Sequence, residues 1–222
     1  MTIGSRDPAG EADNEHVLKI GIVVFDVVEE QDFVGPFEVL KLAVNYGAKA
    51  TVGLYSTTES LSLTGSNGLR FHADATLGAD PLDLVIVPGG GWNDRGNGGT
   101  WDEVQRGWLP KTLVEMHEQG VVIASVCTGG MVLASAGLLD GRHANTHRIG
   151  VAELKALGAT HVDARVVDEG DVLTSAGVVA GLDLGLWLVE RFFGKQIYAD
   201  VENELEYERR GPIWTREPDS AA

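Results

Sequence analysis

Three short, largely apolar runs each break directly into a turn, and that pattern constrains the fold more than any other feature of this chain. Residues 18–25 (LKIGIVVF) run into an acidic turn at 26–32. Residues 84–87 (LVIV) run into Pro88-Gly89-Gly90-Gly91, and residues 121–126 (VVIASV) into Cys127-Thr128-Gly129-Gly130. Runs this short, without polar alternation, suit strands buried on both faces, as in a parallel sheet. Amphipathic stretches separate them. Helical spacing is read over 33–46, with Pro36 near its first turn, and over 101–119, 131–136, 149–157, 181–193 and a charged terminal stretch 195–210. Further strands are read at 49–55, 165–167 and 172–174, with a hairpin over 60–76 around Gly65 to Gly68. Alternating strands and helices predict an α/β fold: a doubly wound, mostly parallel, flavodoxin-like sheet with helices on both faces.

The chain of 222 residues favours a single domain over residues 17–222, with a C-terminal helix. Residues 1–16 are polar, carry Gly4, Pro8 and Gly10, and lack the basic start and apolar stretch of a secretory signal. They read as a disordered or tag-like tail. No apolar run approaches the ~20 residues that span a bilayer. With a single cysteine there is no disulfide framework, so the expected location is the cytoplasm. Thirty-three acidic residues against 17 basic ones give a net charge of -16, which repels nucleic acid and anionic lipid and excludes both as partners. The acid serves solubility, and it would also fit a salt-adapted source.

Open parallel sheets bind ligands beyond the carboxyl ends of their strands, where the three turns converge. A lone cysteine is often inert core. Cys127, however, is the last residue before a Thr-Gly-Gly helix start, the local pattern of a nucleophile elbow. Amides at that helix start, with its dipole, are expected to lower the thiol pKa and favour the thiolate. Gly89, Gly90 and Gly91 expose backbone N–H groups that could stabilise an anion developing on substrate, although a plain tight turn explains them too. The spacing of a dinucleotide fingerprint is not met. Glu29 and Glu30 read as solvated charge, whereas Asp32 is placed either to cap the following helix or to face the strand edge. Beside a thiolate its pKa would rise, so that it holds a proton to donate. His147 either completes a Cys–His pair or sits as an ordinary capping-region histidine. No metal or organic cofactor is called for.

The strings QDFVGP (31–36), VPGGG (87–91), SVCTGG (125–130), ANTHR (144–148) and SAGVVAGLD (175–183) resemble the ThiJ/PfpI superfamily over about residues 19–194. Within it, Cys-Thr with an aspartate after the first strand is similar to the isocyanide hydratase group. Peptidase-like and glyoxalase-like members instead resemble Cys-His or Cys-Ala patterns. The resemblance implies a nucleophile at Cys127, an acid at Asp32, a hydroxyl neighbour at Thr128, and anion-stabilising amides at Gly90 and Thr128. It implies a homodimer and a small electrophilic substrate: an isocyanide hydrated to an N-substituted formamide through a thioimidate on Cys127. Alternatives are a glyoxalase-type or deglycase activity on α-oxoaldehydes, with His147 as base, and a redox- or stress-responsive dimer without turnover. Similar strings occur in the ligand-binding halves of transcription regulators, but with the chain stopping at Ala222 no helix-turn-helix module, and so no regulator, is expected. Trp92, Asn93, Asp94 and Arg95 and the long acidic terminal helix depart from the hydratase pattern.

Overall fold

A computed structural model describes residues 16–216. Of the tail expected at 1–16, residues 1–15 lie outside the described residues. In chain order the elements are β1 (Leu18–Val24), α1 (Glu30–Asn45), β2 (Ala50–Ser56), β3 (Ser62–Thr64), β4 (Arg70–His72), β5 (Ala75–Thr76) and β6 (Leu84–Val87). There follow α2 (Thr100–Arg106), α3 (Trp108–Glu118), β7 (Val122–Ser125), α4 (Gly129–Ser135) and β8 (His143–Ala144). A 3-10 turn (Arg148–Gly150) leads into α5 (Val151–Ala156), then β9 (Thr160–His161), β10 (Val166–Asp168) and β11 (Val172–Ser175). The described chain closes with α6 (Ala180–Phe193), α7 (Lys195–Leu205) and β12 (Ile213–Thr215).

Eight strands form the main sheet in the order β12-β10-β11-β7-β6-β1-β2-β5, and only the β10–β11 pair is antiparallel. The three apolar runs lie side by side in it: β7 beside β6, and β6 beside β1. Ile22, Val85, Ile86 and Ile123 are fully buried. A strand with its face residues removed from water on both sides must be apolar throughout, which is why these runs show no alternation. Helices α1, α6 and α7 pack together, and α4 packs with α2, α3 and α5, so the sheet is wrapped by two helical groups. The doubly wound, mostly parallel sheet predicted from the sequence is the observed one.

Several boundaries differ. Helix α1 begins at Glu30, three residues before the expected start, so Asp32 lies in its first turn rather than in a loop. The stretch 101–119 is two helices, because Gly107 adopts a left-handed φ of 71° and breaks it. The terminal helix stops at Leu205 instead of 210. Beyond it, Tyr207 Oη (3.2 Å) and the Arg210 N–H (2.7 Å) reach the buried Asp183 carboxylate and turn the chain into β12, a strand that the sequence pattern did not reveal. Glu29 and Glu30 are not free surface charge either. Glu30 accepts from the Asn67 N–H at 2.7 Å and the Leu69 N–H at 3.3 Å, and both carboxylates accept from Ser66 Oγ at 3.1 Å. They clasp the turn of the predicted hairpin, which forms as β3 and β4.

Candidate active site

The loops after β1, β6 and β7 meet at the carboxyl edge of the sheet because their strands are neighbours. Cys127 adopts φ 57°, a left-handed conformation that a non-glycine residue holds only under constraint. The constraints are visible on each side. The Val126 N–H donates to Val87 O (2.9 Å) and the Cys127 N–H to Ala176 O (3.1 Å), while Thr146 Oγ1 donates to Cys127 O (2.7 Å). Gly129 allows the helix to start directly: a Cβ there would collide with the Val87 carbonyl. The elbow thus lifts the thiol to the strand edge, where Cys127 is 6 % exposed.

Asp32 comes from α1, across the turn from the elbow, and is fully buried. Its Oδ2 accepts the Gly89 N–H at 2.9 Å, its carboxylate lies beside the Cys127 thiol closely enough for the two to shift each other's pKa, and its Oδ1 has no hydrogen-bond partner. Burial pushes the Asp32 carboxyl up to about 7, against the lowering effect of the Gly89 and Cys127 hydrogen bonds. The backbone amides of Val178 and Thr128 act to lower the thiol pKa, as an elbow should provide. Burial first, and then the Asp32 charge, nevertheless push it up to about 12. The expectation of a thiol acidified by amides is therefore corrected: desolvation outweighs two donors. Between about 7 and 12 the pair shares one negative charge and one proton, and it titrates as a unit.

The glycine loop is used differently from expectation. The Gly89 N–H is occupied by Asp32 and the Gly90 N–H by Thr128 Oγ1 at 3.0 Å, so neither is free for a substrate anion. These glycines are required by space instead. A Cβ at Gly89 would lie 2.5 Å from Thr128 Oγ1 and 2.8 Å from Asp32 Oδ2. The Gly91 N–H has no hydrogen-bond partner among the described residues. The structure thus brings together Cys127, Asp32, Thr128, Gly89 and Gly90.

His147 caps the 3-10 turn, with Nδ1 accepting the Ile149 N–H at 3.3 Å, and its ring packs on Gly177. Among the described residues it makes no hydrogen bond to Cys127. Burial, then the charge of Arg148, lower its pKa, so the ring is neutral at physiological pH. Two contributors were not singled out in the sequence. The backbone amide of Val178, in a strained turn (φ 32°), lowers the thiol pKa, and Thr100, wholly buried, donates to Gly90 O and Thr128 Oγ1. The string SAGVVAGLD marks the Val178 turn, but nothing in its composition says that an amide points at a sulfur 51 residues away. No group of three or more His, Cys, Asp or Glu among the described residues is arranged to hold a metal ion.

The family model of DJ-1/PfpI matches residues 18–191, a span holding the elbow, Asp32 and the glycine loop. The chain belongs to the DJ-1/PfpI family. It is similar to isonitrile hydratase of Pseudomonas putida, at 34 % identity over 92 % of this chain and 85 % of that protein. It is also similar, at 30 % identity over 91 % of its length, to the HTH-type transcriptional regulator GbdR of Pseudomonas aeruginosa, of which it spans 54 %. Among solved structures, a ThiJ/PfpI family protein from Pseudomonas syringae superposes with a TM-score of 0.75 at 27 % identity, covering 94 % of this chain and 84 % of that one. Drosophila melanogaster DJ-1beta, at 22 % identity and TM-score 0.73 over 87 % of this chain and all of that one, shares the fold. The DJ-1/PfpI family thus includes relatives named as an enzyme and as regulators. No helix among the described residues is long and apolar enough to cross a membrane.

Proposed function

We propose that this DJ-1/PfpI chain hydrates isocyanides to N-substituted formamides, working as a cytoplasmic homodimer on a small-molecule electrophile. What carries the reading is the buried Asp32 carboxyl beside the elbow thiol, close enough that its charge raises the thiol pKa, a pair holding one proton between two acids. An isocyanide carbon is attacked by a nucleophile and protonated at the same atom, so a nucleophile and an acid in contact are what the reaction needs. Cys127 sulfur forms the S–C bond while the shared proton passes from Asp32 to that carbon, giving a thioimidate. Water, oriented by the Thr128 hydroxyl, then adds to the carbon with Asp32 as base. One water proton reaches nitrogen and the other returns to the pair as the C–S bond breaks, releasing the formamide. The steps need no cofactor. An α-oxoaldehyde reaction would ask for a base at His147, whose Nδ1 is engaged as a cap. Similarity to isonitrile hydratase supports the same choice.

Hydration of p-nitrophenyl isocyanide, followed by absorbance, tests the reading directly. Wild type should turn it over and Cys127→Ala should not. Turnover of methylglyoxal in place of the isocyanide, or full isocyanide activity in Cys127→Ala, would reject it.

A further inference from the structure

Strand β1 lies between β6, on the side of the reacting pair, and β2. Beyond the carboxyl ends of β1 and β2 is a second cavity, of about 210 Å³. The buried side chains of Phe25 and Leu63 give it an apolar wall, and Asp26, Asp102, Glu103 and Arg106 set three carboxylates against one guanidinium. Asp26 Oδ1 accepts the Thr64 N–H at 2.9 Å, and Asp102 takes the Gly96 and Gly98 N–H groups at 3.1 and 2.8 Å. These amides carry no full charge, so the cavity stays negative after Arg106 is counted.

Glu103, on α2, has no part in the hydration steps, and its side chain is only 5 % exposed. Its Oε1 is satisfied twice, by the Thr57 hydroxyl at 3.0 Å and by the Arg106 guanidinium. Its Oε2 is buried and has no hydrogen-bond partner among the described residues. A buried carboxylate oxygen without a donor is costly, and the cost falls when a charged donor reaches it. Burial accordingly pushes the Glu103 carboxyl up, against the lowering effects of Arg106 and Thr57. No group of His, Cys, Asp or Glu among the described residues is arranged to hold a metal ion, so the fitting donor is an N–H cation. An ammonium group brings three donors and a full charge.

We propose that this cavity binds a small primary alkylammonium ion, its ammonium group donating to Glu103 Oε2 and its alkyl part lying against Phe25 and Leu63. The excess of carboxylates draws the cation in, and the apolar wall favours an alkyl chain over a bare ion. Oε2 is out of contact with solvent, so the ligand reaches it as the Arg106 side chain, 45 % exposed, gives way. The site is separate from the Cys127 chemistry and does not depend on the hydration reading.

Propylammonium chloride, with tetramethylammonium and potassium chlorides at matched ionic strength, tests it on the full chain. Propylammonium at a tenfold excess over its Kd should raise the unfolding temperature by about 3–6 °C above the potassium control. Tetramethylammonium, a cation without N–H donors, should give no such rise. By titration calorimetry, Glu103→Gln should weaken propylammonium binding about tenfold or more, the scale of one charged hydrogen bond. Asp26→Asn should weaken it about two- to fivefold, as loss of one exposed charge does. Arg106→Ala, which removes the competing cation, should tighten it. Absence of propylammonium binding overturns the proposal. So does an equal response to tetramethylammonium, which would mark charge screening, or unchanged affinity in Glu103→Gln, which would place the ligand elsewhere. If Glu103→Gln does not fold, unchanged affinity in both Asp26→Asn and Arg106→Ala overturns it instead.

Discussion

At the scale of single residues, Asp32 carries the strongest tension in the molecule. Its carboxyl is fully buried, has one oxygen without a partner, and is pushed up from 3.8 to about 7. A raised folded-state pKa means that ionising Asp32 costs stability as pH climbs from about 4 to 7. Asp32→Asn should therefore raise the denaturation midpoint at pH 8, with an upper bound of roughly 4 kcal/mol, and the gain should vanish near pH 4. Equal gains at both pH values in urea titrations would contradict this account. On the proposed hydration reading, the same pair sets the pH dependence of turnover. Below about 7 both acids hold their protons and no nucleophile is available, so kcat/KM of wild type should rise with pH through that value. Cys127 and Asp32 were legible in the sequence because each sits at a strand-to-helix boundary, and position along a strand is a local property. The direction of the thiol shift was not legible, because it depends on how much water the fold removes from around the sulfur.

At the scale of elements, the elbow exists because α4 can begin against the end of β6. Gly129→Ala places a methyl group on the Val87 carbonyl, and the strand end cannot retreat because Val87 is paired with Ser125 of β7 and the residue before it, Ile86, with both neighbouring strands. The variant should lose about 1–3 kcal/mol, the usual cost of overpacking a close contact, measurable by chemical denaturation. A loss below about 0.5 kcal/mol, the range of neutral surface changes, would show that the start of α4 yields freely. The elements differed in how well the sequence announced them. Strands β1, β6 and β7 were plain, since burial on both faces leaves an uninterrupted apolar run. Strand β12 was hidden, because three residues of irregular polarity become a strand only where β10 offers an open edge and Asp183 holds the chain in place. The break at Gly107 was a missed glycine signal inside an otherwise helical pattern.

At the scale of the whole molecule, a net charge of -16 on 222 residues repels itself. Raising sodium chloride from about 0.05 to 0.5 M shortens the Debye length severalfold and should increase the unfolding temperature; a flat or falling response would show that surface ion pairs outweigh the repulsion. The pattern of apolar runs and turn residues, taken alone, determined the layered α/β architecture, the sheet edge where the candidate site lies and the cysteine that stands there. Hydropathy and turn chemistry act over a few neighbouring residues, so a linear reading captures them. Only the tertiary structure decided that the amides of Gly89 and Gly90 serve Asp32 and Thr128, that Val178 faces the sulfur and that His147 caps a turn. Those outcomes join groups dozens of residues apart in a space closed to water, where a hydrogen bond or a buried charge has no signature in the local sequence.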